Sequence, residues 1–119
     1  MKVRCLIVDD SAAFLASAVR LLESEGFDVV GTAASSREAV QLATKLKPDV
    51  ALVDVEIGPE SGFDLARELA GCNSPVASIL ISMYPEDDLV EAIAASPALG
   101  FLPKSKLSAG AIRELLPSP

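Results

Sequence analysis

The segment VRCLIVDDS, residues 3–11, is an apolar run that stops abruptly at two aspartates and a serine. It shows no alternation of polar and apolar positions, which fits a strand covered on both faces, as in a parallel sheet packed between helices. Working outward, similar β-branched runs recur at Val29–Thr32, Val50–Val53 and Val76–Ile81, with a shorter one at Leu99–Leu102. The stretches between them carry helical periodicity. In 12–24, Phe14, Leu15, Ala18, Leu21 and Leu22 fall on one face, and in 36–46, Ala39, Val40, Ala43 and Leu46 do the same.

The punctuation agrees with this division. Ser35 with Glu38 reads as a capping box, and Pro48 closes the same helix. Gly26, Gly71 and Gly100 fall just past helical stretches, Pro85 with Glu86, Asp87 and Asp88 suits a first helical turn, and the last helix is expected at about Ser108–Leu116. The order is β-α repeated five times. Right-handed crossovers of this length predict a flavodoxin-like (βα)5 doubly wound fold. Its three layers would enclose an all-parallel five-stranded sheet in the order 2-1-3-4-5.

Composition narrows the function classes. A chain of 119 residues has the length of one domain, and with 50% apolar but only 4% aromatic residues its core must be built from Ala, Val, Leu and Ile. The net charge of −7 repels nucleic-acid phosphates and anionic membranes, so neither is an expected partner. There is no histidine, which excludes imidazole metal sites and Ser-His triads. Cys5 and Cys72 are far apart and form no CxxC pair, and the N-terminal apolar run is cut at Asp9, too early for a signal sequence. No stretch approaches membrane-spanning length, and a cytoplasmic setting is expected.

On this frame Asp9 and Asp10 follow the first strand, Asp54 ends the third, Ser82 ends the fourth and Lys104 follows the fifth. All lie at carboxyl ends of strands, where open α/β sheets bind ligands. Carboxylates crowded there cannot all stay ionised without a cation, and hard oxygen donors of this kind suit Mg²⁺. Each residue taken alone has a plainer explanation: Asp10 and Ser11 as caps, Asp54 as a turn residue, Ser82 as a satisfied hydroxyl, Lys104 as a solvated charge. Nothing structural requires four strands to present such groups at one edge together.

These residues carry a resemblance. The chain resembles the receiver domain of two-component response regulators through LIVDDS at 6–11, VALVDVEIGPESGFDLAREL at 50–69, ILISMYPED at 79–87 and GFLPKS at 100–105, with Gly62 eight residues beyond Asp54. GFLPKS is most similar to the NarL/FixJ branch, whose members carry LuxR-type DNA-binding output domains. The resemblance implies a phosphoacceptor signalling domain rather than an enzyme acting on a substrate. Asp54 would accept a phosphoryl group from a histidine kinase or a small phosphodonor. Mg²⁺ would be held by Asp9, Asp10, Asp54 and the main-chain carbonyl of Glu56, while Lys104 and Ser82 would hold phosphoryl oxygens. Ser82 and Phe101 would form the switch, altering the face of the fourth helix, fifth strand and fifth helix for partner binding or homodimerisation. Glu56 and Tyr84 would tune dephosphorylation.

Two places depart from the commonest family pattern. Asp54 is followed by VEIGPE, which moves the loop proline one place later and puts Gly58 in its position. Receivers most often have a cis proline directly after the lysine, whereas Pro103 here precedes Lys104 and Ser105 follows it. A cis bond before serine would cost about 3 kcal/mol, which leaves the isomer open. Residues 1–116 are expected to form the receiver, and 117–119, ending LLPSP, a tail or the start of a linker to an output domain controlling transcription. Three readings compete with a phosphorylation switch: an atypical receiver acting as a phosphorylation-independent interaction module, an aspartate-nucleophile phosphatase suggested by LVDVE, and a flavin site. The last is the poorest, since no phosphate-binding loop follows the first strand.

Overall fold

The computed structural model describes residues 2–117. The strands are β1 (Arg4–Val8), β2 (Asp28–Ala33), β3 (Val50–Asp54), β4 (Ser78–Ser82) and β5 (Gly100–Pro103). The helices are α1 (Ala12–Ser24), α2 (Ser36–Leu46), α3 (Gly62–Gly71), α4 (Val90–Ala95) and α5 (Ala109–Leu115). All strand pairs of the five-stranded sheet are parallel, in the expected order β2-β1-β3-β4-β5.

Strand periodicity splits the core cleanly in two. Leu6, Val8, Ala51, Val53, Leu80 and Phe101 point to one face, where they join Ala39 and Ala43 of α2 and Leu65, Ala66 and Leu69 of α3. Cys5, Ile7, Val50, Leu52, Ile79 and Ile81 point to the other, where Ala18 and Leu22 of α1 and Ile112 of α5 cover them. Burial of both faces is the reason these strands read as unbroken apolar runs.

Serine starts most of the helices. Ser11, Ser35, Ser61 and Ser108 each accept a hydrogen bond from the backbone amide three residues on, satisfying one donor that the first turn leaves free. Glu38 also reaches back at α2, but past the cap: its side chain accepts from the amide of Ala34, the residue before Ser35, at 2.8 Å.

Several boundaries differ from the sequence expectation. Leu21 is 38% exposed, because α1 buries Ala18 and Leu22 while Leu21 turns to solvent. Val76 is buried but precedes β4, its amide bonding instead to the Leu69 carbonyl, which closes the turn after α3. Gly100 is a strand residue rather than a helix terminator, with Leu115 of α5 packed against it. Gly71 is the last residue of α3. The fourth helix opens with a separate 3₁₀ turn at Glu86–Asp88, and α4 itself has only 6 residues. No cis peptide occurs among the described residues, so Lys104–Ser105 is trans. Ser118 and Pro119 of the expected tail lie outside the described residues. No described helix is long and apolar enough to cross a membrane.

Candidate functional site

The loop after β3 positions the centre of the site. Residues Glu56–Ile57 and Glu60–Ser61 form a small antiparallel hairpin, turned by Gly58 at φ +57. That left-handed conformation suits glycine and explains why Gly58 stands ahead of Pro59. The hairpin is braced from outside by Glu60, whose Oε1 accepts from the Ser36 amide of α2 at 3.0 Å. It delivers Gly62 directly onto β3. A Cβ at Gly62 would lie 1.9 Å from the Asp54 carbonyl oxygen, so only glycine lets α3 begin here.

The carboxyl edge then assembles as the strand order requires. Asp9 and Asp54 are buried, and Asp10 is exposed beside them. Asp9 Oδ1 accepts from the Ser11 amide at 2.8 Å, and Asp54 Oδ1 accepts from the Glu56 amide at 3.0 Å. The other oxygens face one cation: Lys104 Nζ lies 2.5 Å from Asp9 Oδ2 and 2.8 Å from Asp54 Oδ2. Among the described residues Asp9 Oδ2 has no hydrogen-bond partner, so its approach to Lys104 is ionic without hydrogen-bond angles. Asp9, Asp10 and Asp54 can each offer one oxygen, all within 4.8 Å of one another.

Burial dominates the protonation of Asp54 and raises its carboxyl above the ordinary range, against the opposing pull of Lys104 and the Glu56 amide. For Lys104, burial works against the charge, yet the adjoining Asp54 and Asp9 carboxylates outweigh it and hold the ammonium above the usual lysine value. The edge is thus an acid pair bridged by a charged lysine. A buried Asp9 oxygen that accepts no hydrogen bond, beside the Asp10 and Asp54 carboxylates, belongs to the kind of donor set a hard divalent cation takes, so these residues fit Mg²⁺.

A cleft of about 310 Å³ opens over this edge, with Ser82, Tyr84, Glu56 and Gly58 also in its wall. Ser82 is buried, and its Oγ accepts from the Tyr84 amide at 2.9 Å. Phe101 is buried in β5, opposite Leu80 of β4. The structure therefore brings Asp9, Asp10, Asp54, Glu56, Ser82, Tyr84 and Lys104 together. Phe101 stands apart from them, within the core. Phe14, which sequence periodicity places only on the packed face of α1, also lies against Lys104, with 4.4 Å between Nζ and the ring centroid. An aromatic four residues past a DD pair was the available signal.

The five-stranded parallel sheet with helices on both faces is the flavodoxin-like fold of receiver domains. The family model for the response regulator receiver domain matches residues 5–116, and the chain belongs to that family of two-component systems. Receiver domains generally bind Mg²⁺ at an acidic pocket and interact with histidine kinases.

Among relatives, the protein-glutamate methylesterase/protein-glutamine glutaminase of Alkalilimnicola ehrlichii is 38% identical over 107 residues, covering 87% of this chain and 27% of that protein. The transcriptional regulatory protein PdtaR of Mycobacterium tuberculosis is 33% identical over 102 residues, covering 85% of this chain and 49% of that protein. The chain spans less than half the length of either. Among solved structures, the signal receiver domain of the response regulator NarL from Mycobacterium tuberculosis superposes with a TM-score of 0.83 at 30% identity, covering 96% of this chain and 93% of that one.

Proposed function

We propose that Asp54 is the phosphoacceptor of a signalling switch, phosphorylated by a histidine kinase or a small acyl phosphate. The observation that carries this reading is the pairing of Lys104 with both Asp54 and Asp9 at the buried carboxyl edge. An Asp54 carboxylate oxygen attacks phosphorus, the bond from phosphorus to the donor's leaving oxygen or nitrogen breaks, and the leaving group departs with that electron pair. The product is an acyl phosphate on Asp54. The hydrogen bond from the Glu56 amide fixes Asp54 Oδ1, while Oδ2 faces Lys104. Lys104 offsets the burial that disfavours the charged nucleophile and is placed to exchange a carboxylate for a phosphoryl oxygen. Asp9, Asp10, Asp54 and the Glu56 carbonyl would hold Mg²⁺, which neutralises charge on the transferring phosphoryl oxygens.

Ser82 would leave the Tyr84 amide to hydrogen-bond the phosphoryl group. The loop 83–89 and Phe101 would follow, changing the α4-β5-α5 face for partner binding or homodimerisation. Glu56 and Tyr84, both in the cleft wall, would set the access of water and so the dephosphorylation rate. Residues 1–116 would form this receiver in the cytoplasm, with Pro117 opening a linker to an output domain. Control of transcription is favoured by the likeness to the transcriptional regulatory protein PdtaR, whereas the methylesterase relative makes an enzymatic output the competing assignment.

The test is intact-mass measurement after incubation with Mg²⁺ and acetyl phosphate, for wild type and Asp54→Asn. One phosphoryl adduct absent from the variant is expected. A wild type that takes no adduct would favour the phosphorylation-independent interaction module, and multiple turnover on free phosphate esters would favour a phosphatase.

A further inference from the structure

Lys104 has a third neighbour besides the two carboxylates, the face of the Phe14 ring. The ring's placement is not independent of the acids. Asp9 Oδ1 accepts from the Ser11 amide, and the Ser11 hydroxyl accepts from the Phe14 amide at 3.2 Å, so one short chain of bonds orients both the buried acid and the residue carrying the ring. Phe14 stands in the first turn of α1, half-buried, with its apolar body packed against the layer formed by α1 and α5.

We propose that Phe14 is a positioning residue for phosphoryl transfer: its ring holds the Lys104 ammonium over the Asp9–Asp54 pair through a cation–π contact. The inference rests on Asp54 being the acceptor. A lysine side chain has high rotamer entropy, and two carboxylates alone leave it free to swing once one of them is engaged by a phosphoryl group or a metal ion. An aromatic face attracts the ammonium without neutralising it, and it offers no oxygen donor for which a hard metal ion would compete. Lys104 can therefore release a carboxylate for a phosphoryl oxygen while one of its contacts persists. Little water reaches this contact, since the lysine side chain is only 12% exposed.

The full chain with Mg²⁺ and acetyl phosphate supplies the test, read as the rate of phosphoryl incorporation by intact mass. Phe14→Leu keeps an apolar side chain and removes the ring, while Phe14→Tyr keeps the ring. Phe14→Leu is expected to react about fivefold more slowly and Phe14→Tyr within about twofold of wild type. In a Lys104→Ala background the leucine substitution should have no further effect. Independently, the Lys104 ε-methylene protons should show an upfield ring-current shift by NMR that Phe14→Leu abolishes and Phe14→Tyr retains. A labelled wild type matched in rate by Phe14→Leu overturns this inference alone, as does an equal slowing with and without Lys104, which would mark a packing role. A wild type that takes no label overturns it together with the acceptor assignment.

Discussion

Asp54 and Ser82 end neighbouring strands, yet the backbones that follow them are built differently. Beyond Asp54 the chain is pinned: the Val55 amide bonds to the Ile81 carbonyl at 3.0 Å, the Gly62 amide returns to the Val55 carbonyl at 2.9 Å, and Ile57 is buried. Beyond Ser82 the chain is loosely held. Met83, Tyr84 and Val90 are 83%, 51% and 54% exposed, and α4 buries no residue and has no side-chain cap. Few buried contacts mean low local stability, the property expected of a segment that has to change shape. Under the proposed function, the contrast would separate a side that keeps the chemistry in place from a side free to report it.

The strongest way to break this contrast is Gly62→Ala. The new Cβ would meet backbone at 1.9 Å, so α3 or β3 has to move. We expect a loss of roughly 5 kcal/mol, or no folded protein, in chemical denaturation. A melt within about 1 kcal/mol of wild type would mean that α3 does not rest on β3 as described.

The pinned side also includes a buried thiol in β1. Burial raises Cys5 from 9.0 to about 12, so the folded state keeps its proton while the unfolded chain ionises. The unfolded state then binds fewer protons, and stability falls as pH rises from about 9 toward 12, by roughly 4 kcal/mol in total. Lys104, held above its usual value, loses its own contribution as pH rises through that higher value, in the same direction. Cys5→Ala should flatten the first component only, visible as a shallower decline of stability between pH 9 and 11.

Mg²⁺ sharpens the contrast from the site itself. At about 100 times its dissociation constant it should add ~2.7 kcal/mol to stability, read as a rise in melting temperature. Asp9→Asn should remove most of that rise. An unchanged rise would take Asp9 out of the ligand set.

The smallest effect belongs to the loose side. Val90→Ala should change stability by less than about 0.5 kcal/mol. Amide exchange in α4 should be faster than in α3 in the same sample. Equal protection would remove the contrast.

Much of this was legible because the governing signals are local. Strands covered on both faces produce runs such as CLIV and VALV, and the carboxyl-edge residues follow directly once strand order is known. The hairpin at 56–61 was hidden because its two-residue strands have no periodicity to detect. Leu21 misled because an apolar face wider than the contact area leaves its margin in water. The hydrogen bond from Ser36 to Glu60, 24 residues away, and the packing of Phe14 on Lys104 depend on side-chain directions that spacing along the chain does not encode.

The absent side chain at position 62 has a consequence for genetics. In a library of all single substitutions scored for signalling, position 62 should be depleted as severely as position 54, although it supplies no functional group. Scoring cellular abundance alongside phosphorylation would part the two: variants at 62 should disappear from the abundance pool, whereas Asp54→Asn should persist there and fail only in the assay that counts phosphate.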